Sequence, residues 1–275
     1  MEKVALITGA SSGLGEAIAK VFKEKGFSVI GVCRSKPKIE VDRWLKADIA
    51  HDGIYKELMS KVKEEFGRLD VLVNAAGKGN YATWEEFDDA GIRDLFELNF
   101  FALVNITCAF LPLLKESTGP IVNIASIAGR KYIPCMGPYC ATKHSVAAFS
   151  GSLRAEVKGT GVKVINVSPG HIKTGFSEHS LGPREFPYIP DFGSSASGLA
   201  RRLYKAYKYN WRSFTYPRIY NVFILAAHIF PRFYDWASRR TWKLDRENKD
   251  YIISESSRAT AEAIVETESD QAPRL

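Results

Sequence analysis

The sequence predicts a doubly wound α/β fold, a parallel sheet with helices on both faces. Two observations carry this. Over the first 170 residues, short Val- and Ile-rich runs alternate with stretches whose apolar residues recur at helical spacing, and the residues with chemistry to offer gather where the apolar runs end. Strand–helix–strand repeats imply right-handed crossovers and a parallel sheet. Such sheets bind ligands beyond the carboxyl ends of their strands.

The strands are expected at "KVALITG" (3–9), "SVIGVC" (28–33), "LDVLVNAAG" (69–77), "PIVNIAS" (120–126) and "VKVINVSPG" (162–170). Ile54, Leu58, Val62 and Phe66 recur every four residues, which predicts a helix over 54–66 with one apolar face. The first strand ends in "TGASSGLG" (8–15) and opens a helix. Gly9, Gly13 and Gly15 let the chain turn sharply and approach a phosphate, and a helix N-terminus adds unpaired N–H groups and a positive dipole end. Glycine in such a turn can also serve packing alone, but its place in a βαβ unit points to a dinucleotide. The second strand ends in Cys33, Arg34, Ser35 and Lys36. A site for unphosphorylated NAD would be expected to place a carboxylate there for the ribose hydroxyls. A guanidinium fork instead favours a 2′-phosphate, so NADP(H) is expected over NAD(H). A solvated charge cluster is the plainer alternative.

Further on, "YCATK" sets Tyr139 and Lys143 four positions apart, on one face if the stretch is helical. They are either a surface pair or an acid and the charge that tunes it. A free phenol titrates near ~10, and a nearby ammonium favours its ionised form.

Composition narrows the class. The 275 residues are 45% apolar and 25% charged, an ordinary globular balance for one large domain or two small ones. Cys33, Cys108, Cys135 and Cys140 form no C-x-x-C pair, and they read as reduced thiols. Neither His144 nor His171 has a second ligand at metal-binding spacing in the sequence, so neither reads as a metal ligand and no metal site is expected. The apolar run "VALITG" begins at Val4, so no targeting segment is expected there, and no stretch is expected to reach the ~20 apolar residues that span a bilayer. The protein is therefore expected to be cytoplasmic, or at most peripheral to a membrane. The net charge of +7 is concentrated, because residues 200–243 hold ten Lys/Arg against one acid, Asp235. A local patch without a nucleic-acid-binding motif argues against nucleic acid.

Six motifs together resemble the short-chain dehydrogenase/reductase family, in its short single-domain type. "TGASSGLG", "NAAG" (74–77), Asn99, Ser126, "YCATK" and "PGHIKT" (169–174) stand in that family's order and spacing over residues 1 to roughly 200. The resemblance implies a Rossmann-type sheet and a ketone–alcohol oxidoreductase. It makes Tyr139 the general acid/base, Lys143 the residue that lowers its pKa, Ser126 the hydroxyl that orients the substrate carbonyl, and Asn99 the holder of a water relay. Cofactor contacts are implied at Gly9, Ser11, Ser12, Gly13, Leu14 and Gly15, and at Arg34, Ser35, Asp48 and Ile49. Others fall at Asn74, Ala75, Ala76 and Gly77, at Tyr139 and Lys143, and at Pro169, Gly170, Ile172 and Thr174. Ala75 stands where many members carry a second Asn. Pairing through the helices bearing Asn99 and Tyr139 would give a homodimer or homotetramer.

Beyond the motifs the family offers less. Residues 175–198, rich in Gly, Ser, Pro and aromatic side chains, read as a lid on the substrate, with Phe176 and Tyr188 as candidate contacts. Residues 200–244 read as a helical, basic-aromatic extension; 200–243 hold thirteen of the chain's 33 aromatic residues. This segment either rests on an anionic membrane surface or packs its aromatics inward while its charges face water. Both readings favour a bulky apolar substrate such as a steroid, bile acid or lipid. Residues 245–275 form an acidic tail that reads as loosely held. A non-catalytic dinucleotide sensor and a membrane-surface interaction protein remain as alternatives, and the intact Asn99, Ser126, Tyr139 and Lys143 set argues against the first.

Overall fold

The computed structural model describes residues 2–187 and 193–244. Tyr188 and the acidic tail lie outside them. In chain order the elements are β1 (Lys3–Thr8), α1 (Gly13–Glu24), β2 (Phe27–Cys33), β3 (Arg43–Lys46), α2 (Ile54–Phe66), β4 (Val71–Asn74), α3 (Asp89–Phe96), α4 (Ala102–Ser117), β5 (Ile121–Ile124), α5 (Gly137–Glu156), β6 (Val164–Pro169), β7 (Ile172–Lys173), β8 (Ser194–Ser195), α6 (Ala196–Lys208), β9 (Ser213–Tyr216), α7 (Ile219–Ile229) and α8 (Pro231–Thr241).

Seven strands form one sheet in the order β3-β2-β1-β4-β5-β6-β9, with every pairing parallel. The chain starts in the middle, winds out to β3, then returns beside β1 and winds the other way. That reversal between β1 and β4 opens a crevice at their carboxyl ends. Every residue of β4 and β5 is buried, as a sheet covered on both faces requires. One face packs Leu6, Val32, Leu72 and Ile121 against Leu58, Ile106, Phe110 and Leu153 from α2, α4 and α5. The other packs Ile7, Val73, Val122 and Val167 against Ile18, Phe22, Leu199 and Leu203 from α1 and α6.

All five expected strands form. The helix expected over 54–66 is α2, with Leu58 and Val62 buried and Ile54 and Phe66 packed on the same cluster. Two further strands close the sheet's edges. β3 fully buries only Leu45 and β9 only Thr215, so neither carries the apolar run of a central strand.

From Asp89 to Ser117 the chain is continuously helical, with a π-turn over Glu97–Phe101 joining α3 to α4. Contrary to the sequence expectation, this helix is long and apolar enough to cross a membrane by length and composition alone. Its apolarity has another use here, since Leu103, Ile106, Phe110 and Leu114 are buried in the protein core.

The C-terminal segment divides. α6 and β9 complete the framework, with Tyr204 and Tyr207 set edge-on to Phe22 at 5.5 and 5.7 Å. Of the two readings of this segment, inward packing of the aromatics describes this part. α7 and α8 are the helices expected in the extension, and they leave most of their large apolar side chains in solvent.

Candidate active site

The turn after β1 is shaped by contacts that only hydrogen side chains allow. A Cβ on Gly9 (φ +71°) would lie 2.9 Å from the Ala76 Cα, and one on Gly15 would lie 2.1 Å from the Gly9 carbonyl oxygen. Gly15 therefore seats α1 against the strand end, while Gly9 and Gly13 (φ +57°) take up the left-handed backbone. Thr8 Oγ1 accepts hydrogen bonds from the amides of Ala75 and Ala76 at 3.0 and 3.1 Å, which ties "NAAG" beside the turn. Ser12 is the N-cap of α1 and makes no capping bond with its side chain, so the first-turn amides remain available to an anion. Thr174 stands opposite, its Cβ 3.4 Å from where a Gly13 Cβ would be. This cradle fits a dinucleotide pyrophosphate.

At the adjacent strand ends, the exposed Arg34 guanidinium lies 3.7 Å from Asp48, whose other oxygen accepts from the Ala50 amide at 3.1 Å. Ser35 is exposed beside Arg34. Ile49 is buried among core residues and Leu14 packs on the opposite core cluster, so both support the cleft more than they line it. Asn74 Nδ2 donates to Thr107 Oγ1 and to Asn123 Oδ1, and Asn123 passes the chain on to Ser150. This buried polar line fastens β4 and β5 to α4 and α5.

The four expected catalytic residues converge across the crevice. Ser126 follows β5, and its Oγ accepts from the Ala128 amide at 3.1 Å and donates to the Pro169 carbonyl at 3.5 Å, close enough to the Tyr139 hydroxyl to favour its ionised form. Tyr139 and Lys143 share one turn of α5, with the ammonium 5.6 Å from the phenol ring centre. Lys143 Nζ donates to the Ile124 carbonyl at 2.9 Å. Asn99 occupies the π-turn, where its Nδ2 donates to the Lys78 carbonyl and to Thr142 Oγ1 while its Oδ1 accepts from the Lys78 amide. It thereby clamps the "NAAG" segment to α5.

Burial governs the electrostatics. Desolvation pushes the Tyr139 phenol well above its ordinary value, and the contact with Ser126 opposes this. Desolvation alone pulls Lys143 down to about 8. Burial thus works against the depressed phenol that the charge pairing suggested, and it keeps the proton on Tyr139 at neutral pH.

Several residues here escaped the sequence reading. Asn80, fully buried, accepts from the Tyr139 amide at 2.9 Å and so satisfies a first-turn N–H of α5. Tyr81, Cys135, Met136, Cys140 and Trp242 form an apolar cluster around Tyr139, with Phe176 and Phe186 packed on it. The Phe176 ring lies 5.8 Å from that of Tyr139, and Trp242 reaches Tyr81 and Phe186 at 6.2 and 6.0 Å. Trp242 arrives from the end of α8, a contact that no local pattern announces. Gly170 is pressed against the Tyr220 ring of α7, whose hydroxyl accepts from the His171 amide at 3.3 Å. A cleft of about 660 Å³ lined by Lys3, Arg68 and Tyr207 lies by the other, amino ends of the strands, remote from this chemistry.

Residues 3–183 match the short chain dehydrogenase family, and the chain belongs to it. It is an oxidoreductase of that family, whose fold binds a nicotinamide dinucleotide. It is 36% identical over 180 residues to a 3-ketodihydrosphingosine reductase of Bacteroides thetaiotaomicron, a match covering 64% of this chain and 66% of that protein. A Thermococcus sibiricus alcohol dehydrogenase complexed with 5-hydroxy-NADP is 26% identical with a TM-score of 0.69, over 78% of this chain and 96% of that one. A Burkholderia phymatum short-chain dehydrogenase/reductase in complex with NAD shares the fold at a TM-score of 0.76 and 21% identity, over 84% of this chain and 95% of that one.

Proposed function

We propose that this oxidoreductase interconverts a ketone and a secondary alcohol on a bulky, apolar, lipid-like substrate, with NADP(H) preferred over NAD(H). The observation that carries the reading is the buried Ser126–Tyr139–Lys143 group at the carboxyl edge of the sheet, in which Tyr139 packs among Tyr81, Met136, Phe176, Phe186 and Trp242. A bound nicotinamide dinucleotide would supply the hydride. Tyr139, protonated at neutral pH, donates its proton to the carbonyl oxygen from the phenol hydroxyl. Ser126 Oγ orients that oxygen with a second hydrogen bond. Lys143, largely an ammonium at pH 7, favours the phenolate left behind, and Asn99 holds the loop over it. These roles favour reduction, the direction a reducing cytoplasm rich in NADPH would drive.

The cofactor preference rests on Arg34, which presents a fork at the end of β2 where a carboxylate would select ribose hydroxyls. The substrate class rests on the aromatic cluster and accords with the lipid ketone named for the Bacteroides relative. Pairing of chains through α4 and α5 accords with the exposed Phe101 at the end of the π-turn.

The test is NADPH oxidation across a ketone panel running from small sugars to steroid and sphingoid ketones. Selective turnover of the long or polycyclic members is expected. Turnover confined to small polar ketones would overturn the substrate class.

A further inference from the structure

We propose that the outer face of α7 and α8 is a docking surface for an anionic lipid bilayer. Among the described residues, eight of the twelve large apolar side chains left exposed fall between Ile219 and Trp236. On α7 the buried stripe is Tyr220, Ile224 and Ala227. The opposite face of a water-bounded helix should be polar. Here it carries Val222, Leu225 and Ile229, each about 60% exposed, and the junction with α8 adds Phe230 and Phe233 at 62 and 66%. Trp236 lies 5.7 Å from Phe233 and extends the same surface. An apolar face this extended on a folded protein marks an interaction surface.

Charge decides the occupant. Arg218, Arg232, Arg239, Arg240 and Lys243 are all exposed around this face. The single acid of α7 and α8, Asp235, accepts from the Tyr132 hydroxyl at 2.5 Å. A second copy of the chain meeting this face across a two-fold axis would bring like charges together. Anionic headgroups would instead complement the arginines while the Phe and Trp side chains enter the acyl boundary. α7 has 11 residues, about 16 Å at ~1.5 Å per residue, roughly half the ~30 Å of a hydrocarbon core, so it lies along the surface and does not cross it.

The surface is also joined to the site. α8 runs from the exposed Phe233 to Trp242 in the Tyr139 cluster, and Tyr220 fixes α7 against Gly170 and His171. Docking would therefore set a lipid phase beside that cluster, which deepens the substrate reading given above. The test is independent of that reading, because it needs no substrate.

The full chain is floated with phosphatidylcholine vesicles, with and without ~30% phosphatidylserine. Retention on the anionic vesicles is expected, with roughly tenfold less on neutral ones and marked loss at high salt. F230S combined with F233S is expected to lower the partition about tenfold or more, and R232Q combined with R240Q by a similar factor, with NADPH binding unchanged in both. Failure to float with either vesicle would overturn the proposal, as would a dimer in solution that F233S dissociates. Flotation without turnover of lipid ketones would instead leave the docking surface standing and remove the substrate reading.

Discussion

Lys143 offers a measurement in which the cost of building the site appears as stability. The ammonium is buried and desolvation lowers its pKa from 10.5 to about 8. A lysine whose folded value lies below its unfolded value destabilises the fold while both states would be protonated, below about 8. The penalty fades as pH rises towards the unfolded value. A gap of about 2.5 units corresponds to ~3 kcal/mol. Lys143→Met keeps the side-chain volume and removes the charge, although it leaves the Ile124 carbonyl without its donor, a cost of ~1–3 kcal/mol that does not depend on pH. Urea unfolding of both proteins between pH 7 and 10.5 is therefore expected to show wild type gaining about 3 kcal/mol on the variant as pH rises. A stability difference that stays flat across that range would refute the desolvation penalty on the buried Lys143 ammonium.

Two further substitutions examine the supports of the site. Asn80→Ala removes the acceptor for the Tyr139 amide, and is expected to lower kcat about tenfold with the KM for NADPH little changed. An unchanged kcat would dismiss Asn80 as a positioning residue. Arg34→Ala is expected to weaken NADPH binding by ~10- to 100-fold in fluorescence titration while sparing NADH. Equal losses for both cofactors, or none, would remove the argument from the 2′-phosphate.

The legible parts of this chain were those in which local pattern and fold agree. β1, β2, β4, β5 and β6 announce themselves because strands buried on both faces are continuous apolar runs. The glycine turn was legible for a similar reason, since Gly9 and Gly15 occupy places where a Cβ would collide with backbone. β3 and β9 were missed because an edge strand with one buried side chain leaves almost no pattern. Asn80 was missed because its partner, the Tyr139 amide, is 59 positions away. Trp242 was counted as one aromatic of a basic segment, and only the path of α8 brings it to Tyr81 and Phe186. The segment 200–243 read as a unit by composition, yet its first part completes the sheet and its last part exposes apolar side chains. Composition alone does not say which face of a helix meets the core.

The most direct test of the account compares wild type with Tyr139→Phe in ketone-dependent oxidation of NADPH. Phenylalanine keeps the ring packed against Phe176 and removes only the hydroxyl. The expected result is a loss of ~10²- to 10⁴-fold in kcat with NADPH affinity preserved. A variant that reduces the ketone at close to the wild-type rate would contradict the assignment of Tyr139 as the proton donor.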